Sequence, residues 1–217
     1  MDYTIISDIH GDYEGFSPDS LASADALLIA GDITNLGNYR PKEVNKAKVW
    51  LDSLKPKYDK IFYIFGNHDL GLSSCDFDSS GVICVQDRVI RYGSLVIAGA
   101  NLSVCYNMPS LKRVWTNMTD NHEVESAYYD TLLPCDILIS HSPPSGKLAM
   151  SFDGQDCGSV RLREYIEVNQ PKLVVCGHIH EAAGSEYIGK TLVVNTACRS
   201  YNLKGTENWD INKKVNP

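Results

Sequence analysis

Short apolar runs rich in β-branched residues recur along the chain, and each ends in a small residue followed by polar side chains. Runs without polar alternation are typical of strands that are buried on both faces of a sheet. Between several of them, apolar residues recur at helical spacing, over 42–54, 120–133 and 159–168. Alternating strands and helices predict an α/β protein. The predicted strands are 3–7, 26–31, 60–66, 94–99, 136–140, 172–177 and 191–195.

Three further segments complete this prediction. Residues 82–99 have the pattern of adjacent antiparallel strands. Two long irregular stretches, 100–119 and 142–158, follow strand ends, where the substrate-facing loops of α/β proteins lie. The length of 217 residues fits one domain, so we expect 1–217 to form a single domain.

Composition narrows the class of protein. The hydrophobic share of 43% and the charged share of 22% are those of an ordinary globular chain. No apolar stretch approaches the roughly 18 residues of a membrane span, and the N-terminus lacks a signal-peptide pattern. Seven scattered cysteines without a Cys-x-x-Cys pair suit a reducing compartment. We therefore expect a cytoplasmic protein with no membrane partner. The net charge of −7 argues against a nucleic-acid partner.

Potential metal ligands directly follow five of the apolar runs. The carboxyl ends of the strands of an open α/β sheet meet in one crevice, so residues distant in sequence would meet there. Of the six histidines, only His122 lies away from these strand ends. The residues at the five ends are, in chain order, Asp8 and His10, Asp32, Asn67 and His68, His141, and His178 and His180.

Each of these residues also has an ordinary structural explanation. A single Asp after a strand is most often a turn former or a helix cap, and Asn67 suits the left-handed backbone of a turn. The His-x-His pair of His178 and His180 is a stronger sign of a metal site. Five strand ends with this order of residues are hard to explain as unrelated turns, so the joint pattern favours a metal site.

These motifs resemble the signature of the calcineurin-like metallophosphoesterase superfamily. Within it, they are most similar to the small phosphodiesterase-like branch, which includes relatives of the class III cyclic-nucleotide phosphodiesterases. The resemblance implies a four-layer α/β/β/α sandwich, in which two facing mixed sheets are flanked by helices. The motifs that carry it are SDIHG (7–11), GDITN (31–35), GNHD (66–69), SHSPP (140–144) and GHIH (177–180).

The resemblance also implies two divalent metal ions and a role for each residue of the motifs. The first metal would be held by Asp8, His10, Asp32 and His180. The second, to which Asp32 bridges, would be held by Asn67, His141 and His178. His68 would lie beside the substrate phosphate as a catalytic acid, and Asp69 would orient it and raise its pKa. Mixed nitrogen and oxygen ligands point to Mn, Fe, Zn or Co, with Mn favoured, and argue against Ca or Mg.

The expected activity is hydrolysis of a phosphodiester or phosphomonoester, by attack of a metal-bridging hydroxide on a small, nucleotide-like substrate. A nuclease, a protein phosphatase and a non-catalytic interaction module on the same fold are the alternatives. The substrate-contacting residues stay open, since surface cations are often only solvated and loop aromatics often pin a loop to the core. The candidates for these contacts are Lys112, Arg113, Lys147, Arg199, Tyr106 and Trp115.

Overall fold

Two six-stranded mixed sheets dominate the computed structural model, which describes residues 1–106, 112, 114–205 and the strand 210–212. In the first sheet, four neighbouring strands pair in parallel, and the other two are antiparallel additions at one side. Its spatial order is β14 (Asp210–Asn212), β13 (Ser200–Lys204), β1 (Tyr3–Ile6), β2 (Ala26–Ala30), β3 (Lys60–Ile64) and β4 (Val82–Cys84).

The second sheet has a parallel centre of four strands between two antiparallel edge strands. A short parallel pair, β7 (Ser103–Val104) and β8 (Met118–Thr119), lies outside both sheets. The spatial order of the second sheet is β11 (Gly184–Ile188), β12 (Thr191–Asn195), β10 (Leu173–Cys176), β9 (Ile137–Ser140), β6 (Leu95–Ala100) and β5 (Val89–Tyr92).

Helices cover the outer faces of both sheets. The helix α1 (Pro41–Leu54) buries one apolar stripe, which includes Trp50 and Leu51, against the first sheet. A short helix, α2 (Ser74–Phe77), joins the same cluster through Phe77. On the second sheet, α3 (His122–Asp130) and α4 (Val160–Asn169) pack through residues such as Tyr129 and Ile166. A third cluster fills the space between the sheets. The predicted four-layer α/β/β/α arrangement is confirmed.

Local sequence explains where two of these helices begin. Ser159 caps α4, since its side chain accepts a hydrogen bond from the Leu162 N–H at 2.9 Å. The prediction placed the start of α3 at Asp120, but the capping residue is Asn121, which accepts from the Glu123 N–H at 2.7 Å. Among the described residues, no helix combines the length and apolar character of a membrane span.

The prediction of adjacent antiparallel strands over 82–99 is correct only for its second part. Strands β5 and β6 form an antiparallel hairpin around Gly93, whose φ is 61°. Strand β4 instead lies in the first sheet, parallel to β3. The physical reason is burial, because Val82 and Cys84 pack into the cluster under α1. The hydrophobic pattern predicted the strand but did not distinguish between the two sheets.

Candidate metal centre

The predicted ligands lie at the carboxyl ends of strands from both sheets. The first sheet places three groups of them, after β1, β2 and β3, and the second sheet places two, after β9 and β10. Contacts between the two sheets join these ends: the His178 N–H donates to Asp8 Oδ2 at 3.0 Å, and His141 Nδ1 lies 2.8 Å from the Ala30 carbonyl oxygen. The carboxyl ends of both sheets therefore form one site.

An unusual backbone aims several of these side chains. Asp8, His10, Asp32 and His178 have left-handed φ values of 54°, 47°, 50° and 72°. Such a conformation costs roughly 1–3 kcal/mol for a residue with a side chain, and it persists where its surroundings enforce it. The ligand-bearing turns are thus strained conformations that the surrounding sheet ends hold in place.

Two glycines provide the space that the ligands need. A Cβ atom at Gly66 would lie 2.2 Å from Asp32 Oδ1, and one at Gly31 would lie 2.7 Å from His141 Nδ1. No side chain fits at either position without displacing a predicted ligand. This explains physically why glycine precedes Asp32 and Asn67 in the GDITN and GNHD motifs.

Asp8, His10 and His180 form what we call the exposed ligand group. One ligand atom from each lies within 4.8 Å of the others. His180 Nε2 is 3.2 Å from Asp8 Oδ1 and 3.4 Å from His10 Nε2. The side chains of His10 and His180 are 22% and 47% exposed. His180 is backed by Cys198, whose Sγ lies 3.6 Å from His180 Nδ1.

Asp32, Asn67 and His141 form the buried ligand group. His141 Nε2 lies 3.4 Å from Asp32 Oδ2 and 2.9 Å from Asn67 Oδ1. The other ring nitrogen, Nδ1, is 2.8 Å from the Ala30 carbonyl oxygen, which fixes the ring orientation. The His141 side chain is 0% exposed and that of Asp32 is 2% exposed. Asp8, Asp32 and His141 also converge within 4.8 Å, so the two groups are adjacent.

His178 lies beside both groups. Its main-chain N–H donates to both Asp8 carboxylate oxygens, at 3.1 and 3.0 Å. Its ring centroid is 5.0 Å from that of His141, in an edge-on arrangement. The histidine, cysteine and carboxylate clusters found in the described part of the chain do not include the His178 ring. The structure therefore brings six of the predicted ligands together and places His178 next to them.

The histidines of the cluster differ in the direction in which their pKa is shifted. Burial opposes the charged form of His141, but the Asp32 carboxylate raises its pKa to about 9. A hydrogen bond with Asp8, and then one with Cys198, raises the pKa of His180 to about 10. Burial lowers the pKa of His178 to about 4, helped by the nearby His141. Burial also lowers the pKa of His10.

The two buried carboxylates carry the negative charge of the cluster. Burial raises the pKa of Asp8 and Asp32, but a hydrogen bond from His180 to Asp8 and the charge of His141 near Asp32 bring the net pKa of both below the usual range. Within the described ranges, both carboxylates form ion pairs only with histidines. Buried carboxylates facing imidazole nitrogens are a donor set that fits a divalent metal ion.

His68 lies at the edge of the cluster with its ring held on several sides. Its Nδ1 is 3.0 Å from the Asn35 carbonyl oxygen and 3.2 Å from Asn35 Oδ1. The Trp115 ring stacks on it with centroids 3.8 Å apart and planes at 24°. The His10 ring meets it edge-on at 4.6 Å. The His68 main-chain N–H also donates to Asp32 Oδ1 at 2.7 Å, which ties the residue to the buried ligand group.

The prediction that Asp69 orients His68 is wrong. The buried Asp69 carboxylate accepts from the Thr34 N–H at 2.8 Å and from the Gly66 N–H at 2.9 Å, and so it joins the loops after β2 and β3. Burial and then the Asp32 charge raise the pKa of Asp69 to about 7. Asn35, not Asp69, faces the Nδ1 nitrogen of the His68 ring. Sequence reasoning missed it, although Asn35 closes the GDITN motif.

The structure places the candidate substrate-contacting residues in different environments. Tyr106 lines a cavity of about 230 Å³ beside His178, and its hydroxyl donates to the buried Glu125. Lys112 is paired with Asp120. Lys147 and Arg199 are exposed, and Arg113 lies outside the described residues. Trp115 stacks on His68, a contact that the sequence did not predict.

Two facing mixed sheets with a carboxylate–histidine cluster at their strand ends define a metallophosphoesterase fold with a site that fits divalent metal binding. The family model of the calcineurin-like phosphoesterases matches residues 1–182. The chain belongs to this family.

Curated relatives and solved structures extend this result. The chain is 28% identical to metallophosphoesterase domain-containing protein 1 of Homo sapiens, over 93% of this chain and 67% of that protein. It is 27% identical to UPF0046 protein T07D4.2 of Caenorhabditis elegans over 93% of this chain, and the match spans only 57% of the nematode protein. The structure of TT1561 of Thermus thermophilus superposes with a TM-score of 0.55 at 14% identity, covering 90% of this chain and 88% of that one. Another solved structure gives 0.74 at 16% identity over 98% of both chains. These structural similarities show the fold alone.

Proposed function

We propose that this protein is a two-metal phosphoesterase that hydrolyses a phosphodiester or phosphomonoester of a small, nucleotide-like substrate. The observation that carries the proposal is the convergence of the exposed and buried ligand groups at one site, with His68 at its edge. Membership of the calcineurin-like phosphoesterases supports the reaction class. The proposal makes Asp32 the ligand shared by both metals, because it lies between His10 and His141.

The donor set supports the choice of metal. The exposed group offers one carboxylate and two imidazoles, and the buried group offers a carboxylate, an amide oxygen and one imidazole. Mixed nitrogen and oxygen donors favour Mn, Fe, Zn or Co, and we favour Mn. When bound, two such cations would supply an activated water and positive charge at the phosphate oxygens. The neutral His178 ring, with its pKa lowered to about 4, would join the second metal without losing a proton.

His68 is proposed to act on the substrate. Its Nδ1 lies within hydrogen-bond distance of Asn35, and its Nε2 has no hydrogen-bond partner among the described residues. That nitrogen is therefore the one available to give a proton to the leaving oxygen. The Trp115 ring stacks on the imidazole and holds its plane. Asn35 and Trp115 thus support a single ring orientation for proton transfer.

Metal analysis combined with generic substrates tests the proposal. Protein reconstituted with Mn²⁺ should bind two metals per chain and hydrolyse bis(p-nitrophenyl) phosphate or p-nitrophenyl phosphate. Comparing a 2′,3′-cyclic nucleotide, a 3′,5′-cyclic nucleotide, a dinucleotide and a phosphopeptide then identifies the ester. A chain with two metals bound that is inert toward all six compounds would contradict the proposed activity and favour a non-catalytic module.

A further inference from the structure

A cavity of about 640 Å³ opens beside the metal centre. Two of its lining residues belong to the site already described: His10 is a member of the exposed ligand group, and Asn35 holds the His68 ring. The opposite wall comes from the start of α1. The cavity therefore adjoins the place where the substrate phosphate would bind, so a second group of the same substrate can reach it.

The wall formed by α1 and the residue before it carries three cations, Arg40, Lys42 and Lys46. All three are exposed, and none has an ion pair or a side-chain hydrogen bond within the described part of the chain. Glu43 is the acidic residue of the lining, and its Oε1 already accepts the Asn35 N–H at 2.6 Å. Positive charge therefore exceeds negative charge at this cavity, in a protein whose net charge is −7.

We propose that this cavity binds a second anionic group of the substrate, a phosphate, so that the substrate class is a phosphoester that carries another phosphate. The inference rests on the proposed function, and it narrows the substrate of that same site. A guanidinium offers paired donors to phosphate oxygens, and lysine ammonium groups add point charges. The class includes nucleoside bisphosphates and 5′-phosphorylated dinucleotides.

Direct binding tests the subsite without relying on catalysis. Calorimetry on the metal-free protein compares adenosine 3′,5′-bisphosphate with adenosine 5′-monophosphate, which differ by one phosphate. We expect the bisphosphate to bind about tenfold more tightly at low salt, since each charge-assisted contact is strong, and the preference to weaken as salt rises. Equal affinity for the two nucleotides in the unaltered protein would overturn the proposal.

Charge-removal variants locate the effect. The triple variant Arg40→Gln/Lys42→Gln/Lys46→Gln should lose the preference for the bisphosphate. Arg40 makes no side-chain capping hydrogen bond, so its replacement does not remove a cap from α1. The matched control Lys48→Gln/Lys190→Gln/Lys204→Gln removes the same charge at exposed positions away from this cavity and should keep the preference. A triple variant that binds the bisphosphate as well as the control does would place the second phosphate elsewhere.

A kinetic comparison separates this inference from the proposed activity. In the Mn²⁺-loaded protein, a 5′-phosphorylated diadenosine dinucleotide should have a KM about tenfold lower than the same dinucleotide without the 5′-phosphate. The Arg40/Lys42/Lys46 variant should bring the two KM values together. If the loaded protein hydrolyses neither dinucleotide nor bis(p-nitrophenyl) phosphate while the calorimetric preference persists, the proposed activity fails and the subsite stands. If the loaded protein hydrolyses both dinucleotides without any preference for the additional phosphate, the proposed activity stands and the subsite fails.

Discussion

The two ligand groups of the candidate metal centre each contain an aspartate and a histidine, but they differ in their access to water. The His141 side chain is 0% exposed, whereas that of His180 is 47% exposed. His141 is held by the Ala30 carbonyl and by Asn67, both at strand ends of the first sheet. His180 lies in the turn after β10 and is backed by the exposed Cys198. The sheets thus orient the buried group, while the exposed group depends on a surface turn.

This difference indicates unequal affinity of the two groups for metal. A ligand ring fixed by packing and a hydrogen bond loses little freedom on binding, and water competes poorly where it is excluded. We therefore expect the buried group to retain its cation longer than the exposed group.

The largest effect is expected for Asp32→Asn, because Asp32 lies between the two groups. The substitution removes a charge that faces both His10 Nε2, at 3.7 Å, and His141 Nε2, at 3.4 Å. We expect loss of bound metal from both groups and activity at background, with metal content measured by elemental analysis. Two metals per chain in this variant would contradict the bridging role of Asp32.

His68→Ala should act on turnover and leave both groups intact. Since the ring is proposed to give a proton to the leaving group, kcat should fall by about 10²–10⁴ while two metals stay bound. The matched control is His122→Ala, since His122 is outside the cluster and its side chain is 74% exposed. Full activity in the His68 variant would remove this residue from the mechanism.

The pH dependence of metal binding should show one displaced proton in each group. The pKa of His141 is raised to about 9 and that of His180 to about 10, so both rings are protonated near neutral pH in the metal-free protein. A ligand ring must be neutral, so binding should release about two protons and affinity should rise with pH up to roughly these values. Calorimetry in buffers of different ionisation enthalpy counts the protons. His180→Ala should reduce the count to about one, and an affinity independent of pH would refute the assignment.

Cys198→Ala should give the smallest effect and confine it to the exposed group. It removes the contact between Sγ and His180 Nδ1, and losing such a supporting partner typically weakens metal binding by about 10–100-fold. We expect the lower end of this range, because His180 is also held by Asp8. Cys198→Ser should restore most of the affinity, and Cys75→Ala, at another exposed cysteine, should have no effect. Equal weakening of both metals would contradict an effect of Cys198 that is confined to the exposed group.

The sequence predicted the strands and the ligand positions because both follow from short-range patterns, whereas the four layers were implied by the resemblance of the motifs to a known family. Continuous apolar runs predict buried strands, and the carboxyl ends of parallel strands meet whatever the loops do. The sheet to which β4 belongs was not predictable, because Val82 and Cys84 would be equally apolar in either sheet.

The contacts of the His68 ring could not be predicted from the sequence, for a different reason. Asp69 follows His68 directly, yet its carboxylate turns toward Thr34 and Gly66, and Asn35 from another loop takes the ring. Trp115 comes from an irregular stretch that carries no periodic pattern. Such contacts depend on how loops from different strands cross in space. Adjacency in sequence therefore did not identify the carboxylate or amide that contacts the His68 ring.

The ligands come from both sheets, and this has a consequence for the lifetime of the protein. Asp8, Asp32 and Asn67 follow strands of the first sheet, whereas His141 and His180 follow strands of the second. A cation held by such a set is bound only while the two sheets stay together, so its binding free energy adds to that of folding. At a metal concentration of 100 times Kd, this linkage amounts to about 2.7 kcal/mol. We therefore expect metal depletion to lower the stability of the folded chain as well as the proposed activity.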